Sequence, residues 1–128
     1  MSKGIMIIVN AMRVPAELND SPTAELIWAR LPIEGSANTW GEEIYLSIPV
    51  KTDLEQGARD EMTIGELGYW PPGEAFCIFF GRTPMSKGGE CRAASAVNPV
   101  GNILGDPGVL KSVKGGATVR IEQQKDRG

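Results

Sequence analysis

A chain of 128 residues, 41% hydrophobic and 23% charged, has the make-up of one globular domain, long enough to hold a core without disulfide or metal staples. Its net charge of −3 and sequence pI near 5.0 exclude a broad basic surface for nucleic acid. It has no histidine, which removes Ser–His and Cys–His nucleophile pairs and the usual nitrogen ligands of zinc, copper and non-haem iron.

Read in chain order, residues 4–10 (Gly-Ile-Met-Ile-Ile-Val-Asn) form a continuous apolar run that predicts a buried strand. The stretch 5–9 is too short for a signal-peptide core or a membrane span, so a cytoplasmic protein without membrane attachment is expected. Residues 11–18 predict a hairpin partner, with Pro15 marking an edge or bulge. Ser21 and Pro22 open a helix whose apolar stripe is Ala24, Ile27, Trp28 and Leu31, and Pro32 ends it.

Residues 42–50 alternate, with Ile44, Leu46 and Ile48 on one face and Glu43, Tyr45 and Ser47 on the other. Residues 51–60 are charged and predict an exposed loop; 62–64 predict a short strand. Residues 65–73 read as a turn-rich connector, and 75–80 as an apolar central strand. A polar loop at 82–92 leads to two short strands, 93–97 and 100–104, separated by Asn98 and Pro99. Asp106 and Pro107 open a second short helix, 117–122 predict a last strand, and 123–128 a polar, frayed tail.

About eight short strands in runs, with connections too short for repeated crossovers, predict a mainly β domain spanning 1–128. The expected form is a closed eight-stranded antiparallel barrel with two short helices. The two cysteines, Cys77 and Cys91, lie outside any CxxC and are expected as free thiols, Cys77 as a core residue. No cofactor or metal site is implied, so acid–base work would fall to carboxylates, lysines, tyrosines or thiols.

Three stretches occur together: Asn-Thr-Trp-Gly-Glu-Glu-Ile-Tyr at 38–45, Gly-Glu-Leu-Gly-Tyr-Trp-Pro-Pro-Gly-Glu-Ala-Phe-Cys-Ile-Phe-Phe-Gly-Arg-Thr-Pro at 65–84, and Ala-Ser-Ala-Val-Asn-Pro-Val-Gly at 94–101. Their combination resembles the small prokaryotic cyclophilin-like domain family, mostly of unknown function, over nearly the whole chain. The resemblance implies a cyclophilin-like barrel. True cyclophilins isomerise prolyl bonds with an arginine beside an apolar pocket, commonly with a histidine and a tryptophan in the groove. Here residues 40–48, which by motif order would supply that arginine, hold no Arg or Lys. The resemblance therefore carries the fold further than the activity.

Three groups of residues are candidates for a site. Trp40 and Glu42 continue the alternation of Ile44 and Leu46, giving an aromatic wall and a carboxylate; their structural alternative is a barrel plug and a turn-bonding side chain. Tyr69 and Trp70, before Pro71 and Pro72, offer a groove for a peptide or flat ligand, or else a stiff corner of the core. Arg82, with Phe80 and Met85 beside it, emerges at a strand end where it would hold a carboxylate or phosphate, or else pair with an acidic neighbour.

The expected function is a binding module for a small anionic ligand or a peptide, with Trp40, Glu42, Tyr69, Trp70, Phe80, Arg82 and Met85 around its groove. The alternatives are a prolyl isomerase-like enzyme or a small amide- or lactam-processing enzyme, with Glu42 and Arg82 as candidate catalytic residues. A third is an interaction protein with a homo-oligomeric face. Nucleic-acid and membrane partners are not expected.

Overall fold

The computed structural model describes residues 3–124. Ten antiparallel strands and one α-helix carry the fold among them. The strands are β1 (Lys3–Val9), β2 (Met12–Leu18), β3 (Ile33–Ser36), β4 (Asn38–Thr39), β5 (Glu43–Ser47), β6 (Arg59–Met62), β7 (Glu66–Trp70), β8 (Ala75–Phe79), β9 (Cys91–Ile103) and β10 (Thr118–Gln123). The helix α1 is Pro22–Arg30, and two 3₁₀ helices lie at Pro71–Gly73 and Pro107–Ser112. Among the described residues, no helix is long and apolar enough to cross a membrane.

The hydrogen-bonded order is β3-β10-β1-β2-β9-β7-β8-β5-β4, with β6 paired to β9 alongside. This corrects the expectation of a closed eight-stranded barrel. The two outermost strands, β3 and β4, are separated in sequence by Ala37 alone, so the sheet curls until its ends meet at that residue. They are joined there by the chain and not by a ladder between β3 and β5. Ala37 ties the junction to β10 through its amide, which donates to the Ala117 carbonyl at 2.7 Å.

The strand count differs for local reasons. Residues 93–104 are one strand and not two, because β9 runs unbroken through Asn98 and Pro99. Residues 65–73 are not merely a connector: β7 lies between β8 and β9 in the wall. Residues 33–39 add the short β3 and β4. The tail expected to fray begins inside β10 with Gln123, and just past the strand the Gln124 amide donates to the Gly4 carbonyl; 125–128 lie outside the described residues.

The helix forms as its sequence dictates. Ser21 caps it, its side chain accepting from the Ala24 amide at 3.2 Å, and Pro22 takes the first turn. Ala24 and Ile27 are buried, and Trp28 and Leu31 pack on the main core. Asn10, at φ 56°, and Ala11 form the two-residue turn of the β1–β2 hairpin, a conformation Asn tolerates.

Two hydrophobic cores result. The main core fills the inside of the curl with Ile5, Ile7, Leu18, Ile27, Ile44, Leu46, Tyr69 and Phe76 among others. The second lies on the opposite face of β5, β7 and β8 and consists of Met62, Ala75, Cys77, Phe79, Cys91, Ala93 and Val97, with Tyr45 and Trp70 packed on it. The first half of β9, paired with β6, supplies the cover. All five residues of β8 are buried because the strand has a core on each face. Gly68 permits the cover to sit this close, since a Cβ there would stand 3.0 Å from the Val97 side chain.

Candidate functional site

A cavity of about 200 Å³ opens at the edge of the second core, lined by Trp40, Glu43, Tyr45, Trp70, Ala93, Ala94 and Val97. Each wall has its own element. Strand β5 carries Glu43 and Tyr45 two residues apart on the face turned away from Ile44 and Leu46. Trp40 comes from the turn before it. Trp70 ends β7, its indole N–H donating to Ser95 Oγ at 2.7 Å. Ala93, Ala94 and Val97 come from the covering half of β9.

Glu43 is the chemically unusual group. It is only 5% exposed, and it forms no ion pair among the described residues. Burial pushes its carboxyl up to about 7, against a smaller opposing effect of the nearby Cys77 thiol. Cys77 sits across the β5–β8 ladder from Tyr45. Burial, and then the nearby Glu43 charge, push that thiol well above its ordinary range, so it remains protonated and is a poor nucleophile.

The residues singled out from sequence fall in several places. Trp40 and Trp70 both line the cavity. Glu42 does not: its Oε1 accepts from the Arg82 amide at 3.3 Å and its Oε2 lies 3.8 Å from Lys111 Nζ. Its main chain bonds Phe80 and Arg82, which ties the 80–82 segment to β5. Tyr69 and Phe80 are buried in the main core, and the Tyr69 hydroxyl donates to the Val50 carbonyl at 2.6 Å. Arg82 and Met85 are exposed and lie outside the cavity lining.

The 82–92 loop is built from internal bonds. Ser86 accepts from the Thr83 amide and donates to the Glu90 carbonyl, and Glu90 accepts from the amides of Lys87 and Gly88 at 2.9 and 2.8 Å. Those backbone donors hold the Glu90 carboxyl down at about 2. Arg92 pairs with Glu90, Asp60 and Glu61.

Sequence reasoning missed Glu43, Tyr45, Ala93, Ala94 and Val97. The signal for Glu43 and Tyr45 was present, since they share one face of the alternation; what was hidden is that a strand from residues 91–97 covers that face. Among the described residues, no cluster of three or more His, Cys, Asp or Glu is placed to hold a metal ion.

The model of the family described as Cyclophilin-like matches residues 3–122. The chain belongs to the cyclophilin-like family. The solution structure of the hypothetical protein AF2241 from Archaeoglobus fulgidus is similar over 96% of this chain and 95% of its own, at 36% identity and a TM-score of 0.81. The structure of McbB in complex with tryptophan is similar at a TM-score of 0.67 and 16% identity, over 97% of this chain and 46% of that one, which bears on the cyclophilin-like fold alone. No curated protein matches the chain.

Proposed function

We propose that this cyclophilin-like domain is a binding module whose site is the cavity between β5, the end of β7 and the first half of β9. The observation that carries the reading is the placement of Glu43, a carboxylate without a cationic partner among the described residues, in the wall of an aromatic-lined cavity. A few polar groups in a mostly apolar concavity are the usual make-up of a small-molecule site. At about 200 Å³ the space suits a small molecule or the end of one peptide side chain. Arg82 stands outside the lining, and so does every other Arg or Lys among the described residues, so the anionic class expected from Arg82 finds no cationic anchor among them.

Trp40 and Trp70 report on occupancy directly, because two of the three tryptophans of the chain line the cavity. The test is a fluorescence screen of Trp28→Phe protein against small amines, amides, lactams, carboxylates, prolyl peptides and L-tryptophan, the last because McbB was solved with it. Saturable changes that disappear in Ala94→Trp, which adds bulk at an exposed rim position, are the expected result. Binding that survives Ala94→Trp places the site elsewhere.

A second reading, catalysis on a small amide or lactam, is favoured by one observation: the Glu43 carboxyl lies near neutrality, where a general base is effective. It predicts turnover of a lactam that rises with pH through about 7 and vanishes in Glu43→Gln. Binding of lactams without turnover would leave the module reading standing alone.

A further inference from the structure

We propose that the natural ligand of this cavity carries an organic cation, an ammonium or alkylated ammonium head, seated among Trp40, Tyr45 and Trp70 with its charge facing Glu43. The proposal rests on the cavity being the binding site and names the class of ligand for it. Three aromatic side chains form its walls, and the negative faces of such rings attract a cation. Among the described residues, Glu43 is the one acidic side chain of the lining, and no basic side chain lines the cavity to compete for it.

Glu43 lies among apolar groups, and a buried carboxylate without a cation is unfavourable. An arriving ammonium supplies the missing partner. The modest size of the space, below the roughly 300–1,000 Å³ of typical ligand pockets, fits a head group better than an extended molecule. Alkylation suits the walls, since Ala93, Ala94 and Val97 offer no acceptor side chain to an ammonium N–H.

The groups around Glu43 permit a clean pH signature. The turn contributes Trp40, β5 contributes Tyr45, β8 the Cys77 thiol, β7 Trp70, and β9 Ala93, Ala94 and Val97. Cys77 remains protonated, so Glu43 is the facing group that changes charge near neutrality.

The experiment uses choline as the probe and compares it with its neutral isostere, in which a quaternary carbon replaces the nitrogen. Both are titrated at constant ionic strength into Trp28→Phe protein, alone and with Glu43→Gln or Ala94→Trp added, with circular dichroism confirming that each variant is folded. The expected result is choline binding at least about tenfold tighter than the isostere. Glu43→Gln should remove that preference and Ala94→Trp should block both probes. Choline affinity should also rise from about pH 5 to about pH 8, a measurement needing no substitution at Glu43.

Equal binding of the isostere, no binding of either probe, or a choline affinity independent of pH overturns the cationic class. If neutral probes still bind and Ala94→Trp blocks them, the binding-module reading survives that loss. Choline binding untouched by Ala94→Trp overturns the placement of the site itself.

Discussion

Glu42 and Glu43 are adjacent and chemically alike, yet the pleat gives them different environments. A one-residue step in a strand moves a side chain to the other face of the sheet. Glu42 reaches the Arg82 amide and Lys111, while Glu43 enters the cavity. The alternation that separates them was legible from Ile44 and Leu46; which face leads to a site was not, because the cover lies about fifty residues further along the chain. The consequence is testable. The folded-state carboxyl of Glu43, raised from 4.5 to about 7, favours its neutral form, so its ionisation erodes stability as pH rises through that window. Glu43→Gln removes this penalty. Urea denaturation at about pH 8 should find the variant more stable by up to ~3 kcal/mol, and equal stabilities there would refute the buried-carboxylate account. Glu42→Gln should alter stability by less than ~1 kcal/mol, because its contacts are half-exposed.

At the scale of elements, β9 does two jobs. Its first half covers the second core with β6, and its second half pairs β7 and β2 in the wall. Pro99 and the polar Asn98 made residues 93–104 read as two strands, and the glycines and prolines of 65–73 hid β7. Asn98 is polar at the midpoint of β9 because it is a fastener. Wholly buried, it donates to Thr23 Oγ1 and to the Asp53 carbonyl, each at 3.0 Å, and accepts from the Glu55 amide at 2.8 Å. Glu55 in turn accepts from the Thr23 amide at the start of α1. The charged 51–60 segment, expected to be simply exposed, is thereby pinned to β9 and α1. Asn98→Ala leaves buried donors and acceptors unmatched and should cost about 2–4 kcal/mol. Limited proteolysis should then cut within residues 51–58 faster than in the wild type. An unchanged cutting rate would mean the loop is held by other contacts.

At the scale of the whole molecule, composition and turn spacing made a β-rich domain legible, and the quoted motifs pointed to the family. The second core was not legible, because it arises from one strand folding across the outer face of others. The response of the molecule to pH is set by two opposed sets of carboxyls, of which Glu43 lies beside that core. Glu90, held at about 2 by backbone amides, adds stability that is present above its unfolded value of 4.5 and lost as pH falls toward 2. Glu66 behaves alike: burial raises its carboxyl, but bonds from Arg59 and Thr63 outweigh that and hold it below its ordinary range. Glu43 acts in the other direction, its contribution complete below 4.5 and lost as pH rises through about 7. The two limbs cross where the opposite mismatches of these sites cancel, so that folded and unfolded chains bind equal numbers of protons in total, and the melting temperature of the unliganded protein should peak at about pH 5. Glu43→Gln should flatten the neutral limb and leave the acid limb in place. Glu90→Gln should do the reverse, weakening the acid limb without changing the decline toward pH 7. If Glu43→Gln leaves the neutral decline unaltered, another group drives it, and the carboxylate in the cavity is better solvated than its surroundings imply. If the decline disappears, a ligand that neutralises Glu43 from outside should restore neutral stability in the same way that the substitution does.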